Sequence, residues 1–523
     1  MLTPTRPPLL GAMAVAGLAG VLSRLAFPGH DWWPLAVLGV ALWVLASSGR
    51  SWRGGALVGF VYGLAFLVPL LHWSGVYVGT FPWMALSVLE SAYFAALGAA
   101  LPLVLRLRAP VAATAVAALW VGQEALRDRT PYGGFPWGRL AFSQADSPLG
   151  ALAALGGAPL VTFGVALTGA LVAVAMLRVR RATVTAVGGL LTAGLVVGAG
   201  LIVPLPTSGT PLRVAGIQGS VPKAGLDFNA ERRAVLDNHA RLTRKLAADV
   251  GAGRAPAPQV VLWPENASDL DPYRQADARQ VIDGAVRAIG VPTLVGAVLL
   301  RDDGRLTNAS IVWDPVTGPG ARYAKRHPVP FGEYIPNRAF FRRISSQVDL
   351  VSRDFAPGSA VGQLDLGPAR VGVAICFEVA YDDLVRDTVR AGADLLVVQT
   401  NNATFGYTDE AVQQLAMSRL RAIEHGRAVA HVSTVGVSAL IAPDGRVLTS
   451  TGLFTPEVLQ ATLPLRTRLT LSDRLGAWPE AALTLLGLVL LVVSARTGRG
   501  ARGTRLAADP ANAVGLLART EAR

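Results

Sequence analysis

RVGVAICFEVAYDDLVRD, residues 370–387, contains Cys376, the only cysteine among 523 residues. An apolar run precedes the cysteine and a polar, acidic run follows it, which predicts a buried strand, a turn and a helix. A single thiol cannot form a disulfide within the chain, so it is either a small core residue or a nucleophile. Taken alone, the core role is favoured. If the thiol is a nucleophile, we expect the N–H groups of the following helix to lower its pKa.

The segment around Cys376 lies in a stretch where short apolar strands alternate with amphipathic helices. Strands are predicted at LRVAGIQ, TLVGAVLL and DLLVVQTN, and helices at residues 231–250, 274–289 and 409–425. Strands without polar alternation are typical of sheets covered on both faces. IAPDGRVL and WDPVTGPGARYAK are predicted to form hairpins. The alternation of strands and helices therefore predicts one layered α/β domain over residues 207–476.

The rest of the chain is too apolar for a soluble protein, since 52% of all residues are hydrophobic and only 16% are charged. A bilayer core about 30 Å thick needs about 20 apolar residues in a helix. Eight runs are candidates, at residues 9–27, 33–48, 54–73, 83–105, 111–126, 149–177, 183–203 and 478–495. We therefore predict a helical membrane domain over residues 1–206 with seven spans, a last span over residues 477–497, and a disordered basic tail over residues 498–523.

Arginines mark alternate loops between these spans, and the net charge of the chain is +13. By the positive-inside rule both termini are cytoplasmic and residues 207–476 lie on the outer face of the cell membrane. The loop after the fifth span is the one exception to the alternation of charge. That loop carries Arg127, Arg129 and Arg139. Because the rule explains much of the positive charge, we expect no nucleic-acid partner.

Three reactive residues stand at the ends of predicted strands or in the loops after them. Glu265 ends QVVLWPEN, Lys325 follows the hairpin in ARYAKRHP, and Cys376 ends RVGVAIC. Acyl transfer needs a nucleophile, a base and a positive or N–H group for the oxyanion, and these residues supply each part. Each also has an ordinary alternative: a solvated loop carboxylate, a surface ammonium and a small core residue. Their joint placement favours a catalytic site.

The local sequences around these residues resemble the nitrilase superfamily, whose members use Glu, Lys and Cys in this order. Together with the membrane spans, they resemble the apolipoprotein N-acyltransferases. The motifs that carry the resemblance are WPEN (263–266), KRHPVPFGEYIP (325–336), ICFE (375–378), QTNNATFG (399–406) and GGFPWGRLAFSQADSPLGALAALGG (133–157). The resemblance implies a multi-span α-helical membrane domain plus an extramembrane α/β nitrilase-like domain, an αββα sandwich.

The resemblance also implies an activity: transfer of an acyl chain from a phospholipid to the N-terminal α-amine of diacylglyceryl-cysteine in an apolipoprotein. Cys376 is then the nucleophile that forms a thioester, Glu265 the general base and Lys325 the oxyanion stabiliser. Supporting roles fall to Glu333, which holds Lys325, to the backbone N–H of Phe377 as a second oxyanion donor, and to Glu378, which orders the turn. We expect neither a metal nor another cofactor, and membrane lipid as the surroundings.

Two positions depart from the pattern of the family, and two segments are candidates for lids. Phe377 stands where the family often has Tyr, and Thr404 stands where it commonly has Trp, so donor and acceptor preferences stay open. Apolar residues around 338–360 and 226–228 form the candidate lids, which also contact lipid in this hypothesis.

Two alternatives stay open at this point. A membrane-anchored amidase or nitrilase would use the same three residues but pass the acyl group to water, so the product distinguishes it. A transporter or receptor with an external binding domain would have charged or broken spans in internal repeats, which the sequence lacks. In that case the substitution Cys376→Ala would not change the function of the protein.

Overall fold

The computed structural model of the chain describes residues 8–178, 183–221 and 232–507. Its helices are α1 (Leu9–Leu25), α2 (Pro34–Ser47), α3 (Trp52–Leu70), α4 (Thr80–Val104), α5 (Ala109–Arg127), α6 (Ala153–Arg178), α7 (Thr183–Ala199), α8 (Arg232–Gly251), α9 (Ala276–Ile289), α10 (Arg338–Phe341), α11 (Asp382–Arg390), α12 (Glu410–His425), α13 (Leu471–Leu475) and α14 (Trp478–Ala507). Its strands are β1 (Thr210–Gln218), β2 (Val260–Leu262), β3 (Thr293–Leu300), β4 (Leu306–Asp314), β5 (Gly318–Ala324), β6 (Gln363–Asp365), β7 (Arg370–Ile375), β8 (Leu395–Thr400), β9 (Val429–Ser433), β10 (Ala439–Ile441), β11 (Val447–Ser450) and β12 (Glu457–Leu465).

Each of the eight predicted apolar runs coincides with a helix, namely α1 to α7 and α14. Within the described residues, five apolar helices are long enough to cross a bilayer: Trp52–Leu70, Thr80–Val104, Ala109–Arg127, Pro148–Leu177 and Trp478–Thr497. The remaining three apolar helices are shorter, at Leu9–Leu25, Pro34–Ser47 and Ala186–Ile202. The chain is therefore a multi-helix membrane protein.

The last helix is longer than the sequence predicts. Helix α14 continues to Ala507, beyond the predicted end of the last span at residue 497, and residues 508–523 lie outside the described part of the chain. Extending an existing helix adds one hydrogen bond per residue without a new nucleus, and Arg and Ala both favour helix. The basic, unpatterned composition of this segment therefore does not stop the helix.

The three arginines that break the charge alternation are each paired with a carboxylate. Arg127 lies 3.5 Å from Glu90 of α4, and both side chains are buried. Arg129 lies 2.6 Å from Glu480 at the start of α14. The side chain of Arg139 is buried and lies 2.8 Å from that of Asp382 on α11. These charges connect helices and domains, which gives them a structural reason to depart from the loop rule.

Two six-stranded sheets form the extramembrane domain. The first has the order β12-β1-β2-β3-β4-β5 and the second β11-β10-β9-β8-β7-β6. Apolar side chains such as Val214, Leu262, Val371 and Val397 fill the space between the two sheets. Both predicted hairpins are present, as the antiparallel pairs β4–β5 and β10–β11.

Helices cover the outer face of each sheet. Helices α8 and α9 pack on the first sheet, where Leu236 and Ile282 share a core with Ile217. Helices α11 and α12 pack on the second sheet, where Val385 and Leu420 share a different core. The domain is an αββα sandwich attached to a helical membrane domain, and the predicted fold class is confirmed.

The second sheet and the membrane helices share one continuous core. Leu420 of α12 and Val398 of β8 belong to the same buried cluster as Phe66 and Val165 of the membrane helices. Because strand β7 lies in this sheet, the helical domain packs directly behind the part of the fold that carries Cys376.

Candidate active site

Cys376 lies where β7 ends and the chain turns sharply. Its φ angle is +54°, a left-handed conformation that a residue with a side chain adopts only under strain. Such strained positions cluster at functional sites. The Sγ atom lies 3.3 Å from Thr400 Oγ1 and 3.5 Å from Gln414 Nε2. The thiol is half-buried and held by weak polar contacts at the carboxyl edge of the sheet.

The prediction that a helix lowers the pKa of this thiol is wrong. A short turn, Cys376–Ala380, follows the strand, and α11 begins only at Asp382. Burial raises the pKa of Cys376 to about 12, and the carboxylate of Glu265 contributes to the rise, while Lys325 opposes it. The resting thiol is therefore neutral at neutral pH, and it needs a base to become a nucleophile.

Glu265 lies in the loop after β2, which is tied to both sheets. Its backbone carbonyl accepts a hydrogen bond of 2.9 Å from Thr434 Oγ1, and Gln399 Nε2 donates one of 2.6 Å to the carbonyl of Trp263. A Cβ at Gly296 would lie 2.0 Å from the carbonyl oxygen of Pro264, so this position of β3 needs glycine. Burial raises the pKa of Glu265, and the ammonium of Lys325 opposes this. A raised pKa makes the carboxylate a stronger base.

Lys325 directly follows β5, and its ammonium is buried between two carboxylates. Its Nζ atom lies 2.9 Å from Glu333 Oε2 and 3.4 Å from Glu265 Oε1. Burial alone lowers the pKa of Lys325, but Glu333 and Glu265 outweigh it, and the pKa is raised well above its usual value. The group is a permanent cation, as an oxyanion stabiliser requires.

Asn308 of β4 is a site residue that the sequence analysis missed. Its Nδ2 atom donates to Glu265 Oε1 at 2.6 Å and to Glu333 Oε1 at 3.1 Å. Its backbone carbonyl oxygen also accepts a 2.9 Å bond from the backbone N–H of Lys325. One asparagine therefore fixes both carboxylates and the lysine. The available signal was an asparagine within a strand, LTNASIVWD, because an amide that becomes buried there needs hydrogen-bonding partners.

Glu378 connects the loop after Lys325 to the turn at Cys376. Its Oε1 atom accepts hydrogen bonds from the hydroxyl of Tyr323 at 2.8 Å and from the backbone N–H groups of Arg326 and His327 at 2.7 and 3.1 Å. Its Oε2 atom accepts one from the N–H of Ile375 at 2.8 Å. The side chain is fully buried. These bonds support the expected role of Glu378 in ordering the turn.

Phe377 packs against an aromatic wall contributed by the membrane domain. Its ring is stacked on that of Trp137 with centroids 5.8 Å apart, and it lies 5.5 Å from the ring of Phe135. The backbone N–H of Phe377 belongs to the turn that begins at Cys376. Its expected role as an oxyanion donor remains a prediction.

One candidate lid contacts the membrane domain, and the other falls outside the described residues. Phe341 of α10 and Phe331 lie 6.3 and 6.1 Å from the ring of Tyr132, which belongs to the loop after α5. Phe340 is 59% exposed. The second candidate, residues 226–228, lies outside the described part of the chain.

Comparison with known proteins places both halves of the chain. Residues 19–171 match the apolipoprotein N-acyltransferase N-terminal domain, and residues 213–469 match the carbon-nitrogen hydrolase domain. An apolipoprotein N-acyltransferase from Mycolicibacterium smegmatis is 42% identical over 503 residues, which cover 91% of this chain and 84% of the relative. The chain belongs to the apolipoprotein N-acyltransferase family. Another member, from Pseudomonas putida, is 34% identical over 93% of this chain and 98% of its own length.

Among solved structures, a carbon-nitrogen hydrolase from Helicobacter pylori matches 52% of this chain and 94% of its own, with 16% identity and a TM-score of 0.38. An amidase of the nitrilase superfamily from Nesterenkonia matches 50% of this chain and 93% of its own, with 20% identity and a TM-score of 0.36. The domain matches and the relatives confirm the predicted family and the predicted enzyme class, an acyltransferase.

Proposed function

We propose that this acyltransferase moves an acyl chain from a phospholipid to the N-terminal α-amine of a diacylglyceryl-cysteine apolipoprotein, through a thioester on Cys376. The observation that carries the proposal is the buried cluster of Glu265, Lys325 and Glu333, bridged by Asn308. The charges of Glu265 and Lys325 act on the thiol of Cys376. Family membership supports lipid and lipoprotein substrates in general.

In the first step, Glu265 takes the proton of Cys376 as Sγ attacks the ester carbonyl of the phospholipid. The ammonium of Lys325 and the N–H of Phe377 stabilise the oxyanion. The intermediate collapses, the ester C–O bond breaks, and Glu265 returns the proton to the departing alkoxide. A lysophospholipid leaves and the acyl chain remains on sulfur.

In the second step, the acceptor amine attacks the thioester carbonyl. Glu265 takes a proton from the attacking nitrogen, the same oxyanion groups act again, and the C–S bond breaks. The proton passes to the departing sulfur, which restores the neutral thiol. A thioester keeps the acyl group activated after the first product leaves, so two bulky lipids use one site in turn.

The membrane location suits this chemistry. Removing an acyl chain from the bilayer costs about 0.8 kcal/mol per CH₂ group, so a site held at the lipid surface avoids a large penalty. The alternating loop arginines support an outward-facing catalytic domain and cytoplasmic termini, and this sidedness is part of the proposal.

The test is to incubate the purified protein in liposomes with phospholipid alone. We expect a hydroxylamine-labile acyl adduct on Cys376, identified by mass, and no such adduct with Cys376→Ser. Adding a diacylglyceryl lipopeptide should then convert the adduct to an amide. Release of free fatty acid at the same rate with and without the lipopeptide would instead support the amidase-type hydrolase.

A further inference from the structure

A second polar network reaches Cys376 from strand β8 and helix α12. Thr400 and Gln414 contact the sulfur, as described above, and Thr400 Oγ1 also lies 2.7 Å from Gln414 Oε1. Asn402 Nδ2 donates to Gln414 Oε1 at 3.1 Å and to Glu410 Oε2 at 2.6 Å. A continuous chain of hydrogen bonds therefore runs from a carboxyl group at the start of α12 to the nucleophile.

The amide orientations in this chain are set by its outer contacts. Ser433 Oγ donates to Asn402 Oδ1, so the Nδ2 group of Asn402 must face Glu410 and Gln414. The backbone N–H of Gly436 donates to Ser433 Oγ at 2.8 Å. Glu410 is 1% exposed, and Asn402 and Gln414 are equally buried. Each group in the network has its hydrogen-bonding role specified by its neighbours.

Two side chains hold the sulfur of Cys376. The hydroxyl of Thr400 is the donor to Gln414 Oε1 at 2.7 Å and, over a longer distance of 3.3 Å, to Cys376 Sγ. Gln414 Nε2 donates to the same sulfur from 3.5 Å. Donors from β8 and α12 therefore fix the position of the sulfur.

We propose that Glu410 is a positioning residue for the nucleophile: through Asn402, Gln414 and Thr400 it fixes the Cys376 side chain, and its own negative charge disfavours the thiolate. Glu410 touches no substrate in this scheme. Its carboxyl anchors the amide of Asn402, and its charge, when present, opposes formation of the thiolate. The kinetic part of this proposal rests on the acyl transfer proposed above, whereas the thiol chemistry does not.

The charged groups around the sulfur determine how ionisation of the Cys376 thiol is expected to depend on pH. Glu265 and Lys325 face it from the first sheet, and Glu410 faces it from α12. Burial raises the pKa of Glu410 to about 8, the bond from Asn402 lowers it, and Glu265 raises it further. The neighbouring Asp409 is paired with Arg24 of α1. Above about pH 8 the ionised Glu410 therefore adds a negative charge that resists loss of the thiol proton.

The experiment uses the single cysteine of the full-length protein in detergent. Alkylation by iodoacetamide, followed by intact mass, reports Cys376 alone. We expect Glu410→Gln to lower the apparent pKa of the thiol. Because the thiolate is the nucleophile, a pKa lower by about 1 gives about tenfold more thiolate at alkaline pH values below that pKa, and alkylation becomes faster by up to about that factor.

The matched control for this measurement is Ser418→Ala. Ser418 is also buried on α12, but it bonds His431 at 2.8 Å and lies outside the network that reaches the sulfur. We expect the alkylation profile of this variant to match the wild type. Coincident profiles for wild type and Glu410→Gln would overturn the proposal.

The second measurement is acyl transfer by Glu410→Leu, which removes the anchor of Asn402. We expect kcat to fall at least about tenfold with little change in KM, and Glu410→Gln to restore most of it because its carbonyl accepts the same bond. A kcat for Glu410→Leu no lower than that of Ser418→Ala would also overturn the proposal. If Glu410→Leu fails to fold, the alkylation profile of Glu410→Gln decides alone.

Discussion

Lys325→Met tests whether the buried ammonium of Lys325 both stabilises the oxyanion and keeps Glu265 ionised. Methionine fills a similar volume but removes the charge that lies 2.9 Å from Glu333 and 3.4 Å from Glu265. The two carboxylates then share the side-chain amide of Asn308 with no ammonium between them. Because Lys325 is the largest influence that lowers the pKa of Glu265, we expect Glu265 to hold a proton at neutral pH in this variant.

The expected fall in the acylation rate follows from the loss of an oxyanion donor and the loss of an ionised base. Removing one oxyanion donor costs about 10²–10³ in rate, and losing a general base costs about 10²–10⁴. Since the two losses occur in one step and are not additive, we expect acylation to slow at least about 10³-fold.

The assay is the rate at which Cys376 acquires an acyl group from phospholipid in liposomes, followed by intact mass. Lys245→Met is the matched control, because Lys245 is a surface residue whose side chain is 68% exposed and paired with Asp249. Breaking a buried ion pair also destabilises the fold by up to about 3–5 kcal/mol, so thermal unfolding is measured on both variants. A folded Lys325→Met protein that acylates within about tenfold of the wild type would refute the reasoning.

Three further predictions concern other residues of the same site. Because burial raises the pKa of Glu265 and the base must be ionised, activity should fall with decreasing pH at values above those expected for an exposed glutamate, which a pH–rate profile measures. Asn308→Ala removes a hydrogen bond that lowers the pKa of Glu265, so the acid limb of that profile should move to higher pH; an unchanged limb would contradict this. Glu378→Gln turns an NH₂ group toward the N–H of Ile375, and the unpaired donors should cost about 1–3 kcal/mol in thermal or denaturant unfolding; a stability equal to the wild type would contradict it.

Most of the fold could be predicted from the sequence because the relevant patterns are local. The helices predicted at residues 231–250, 274–289 and 409–425 are present within two residues of those limits, since their apolar periodicity is strong. Strand β12 was not predicted, because EVLQATLPL contains polar residues and a proline. Its structure depends on antiparallel pairing with β1, which joins segments more than 200 positions apart in the chain.

The site residues also fall into two groups, those recognisable from local sequence and those whose role depends on contacts across the fold. Glu265, Lys325 and Cys376 stand in distinctive local motifs, so they could be selected from the sequence. Asn308 gains its role only because folding brings it to Glu265, 43 positions away in the chain. The thiol pKa was predicted in the wrong direction because a local pattern suggested a helix N-terminus, whereas burial within the fold determines the result. Contacts made across the fold therefore account for both failures.

A neutral resting thiol has a consequence for the order of events in catalysis. In the proposed mechanism, the base Glu265 and the ammonium of Lys325 are already bonded to each other at 3.4 Å, so neither is fully available until a substrate carbonyl arrives. An oxyanion forming near Lys325 would compete for its charge, and the pKa of Glu265 would rise as that charge is drawn away. Proton removal from Cys376 and charge development on the substrate thus support each other within one step. Burial leaves the free enzyme with little thiolate, which protects its single cysteine from alkylation and oxidation between turnovers.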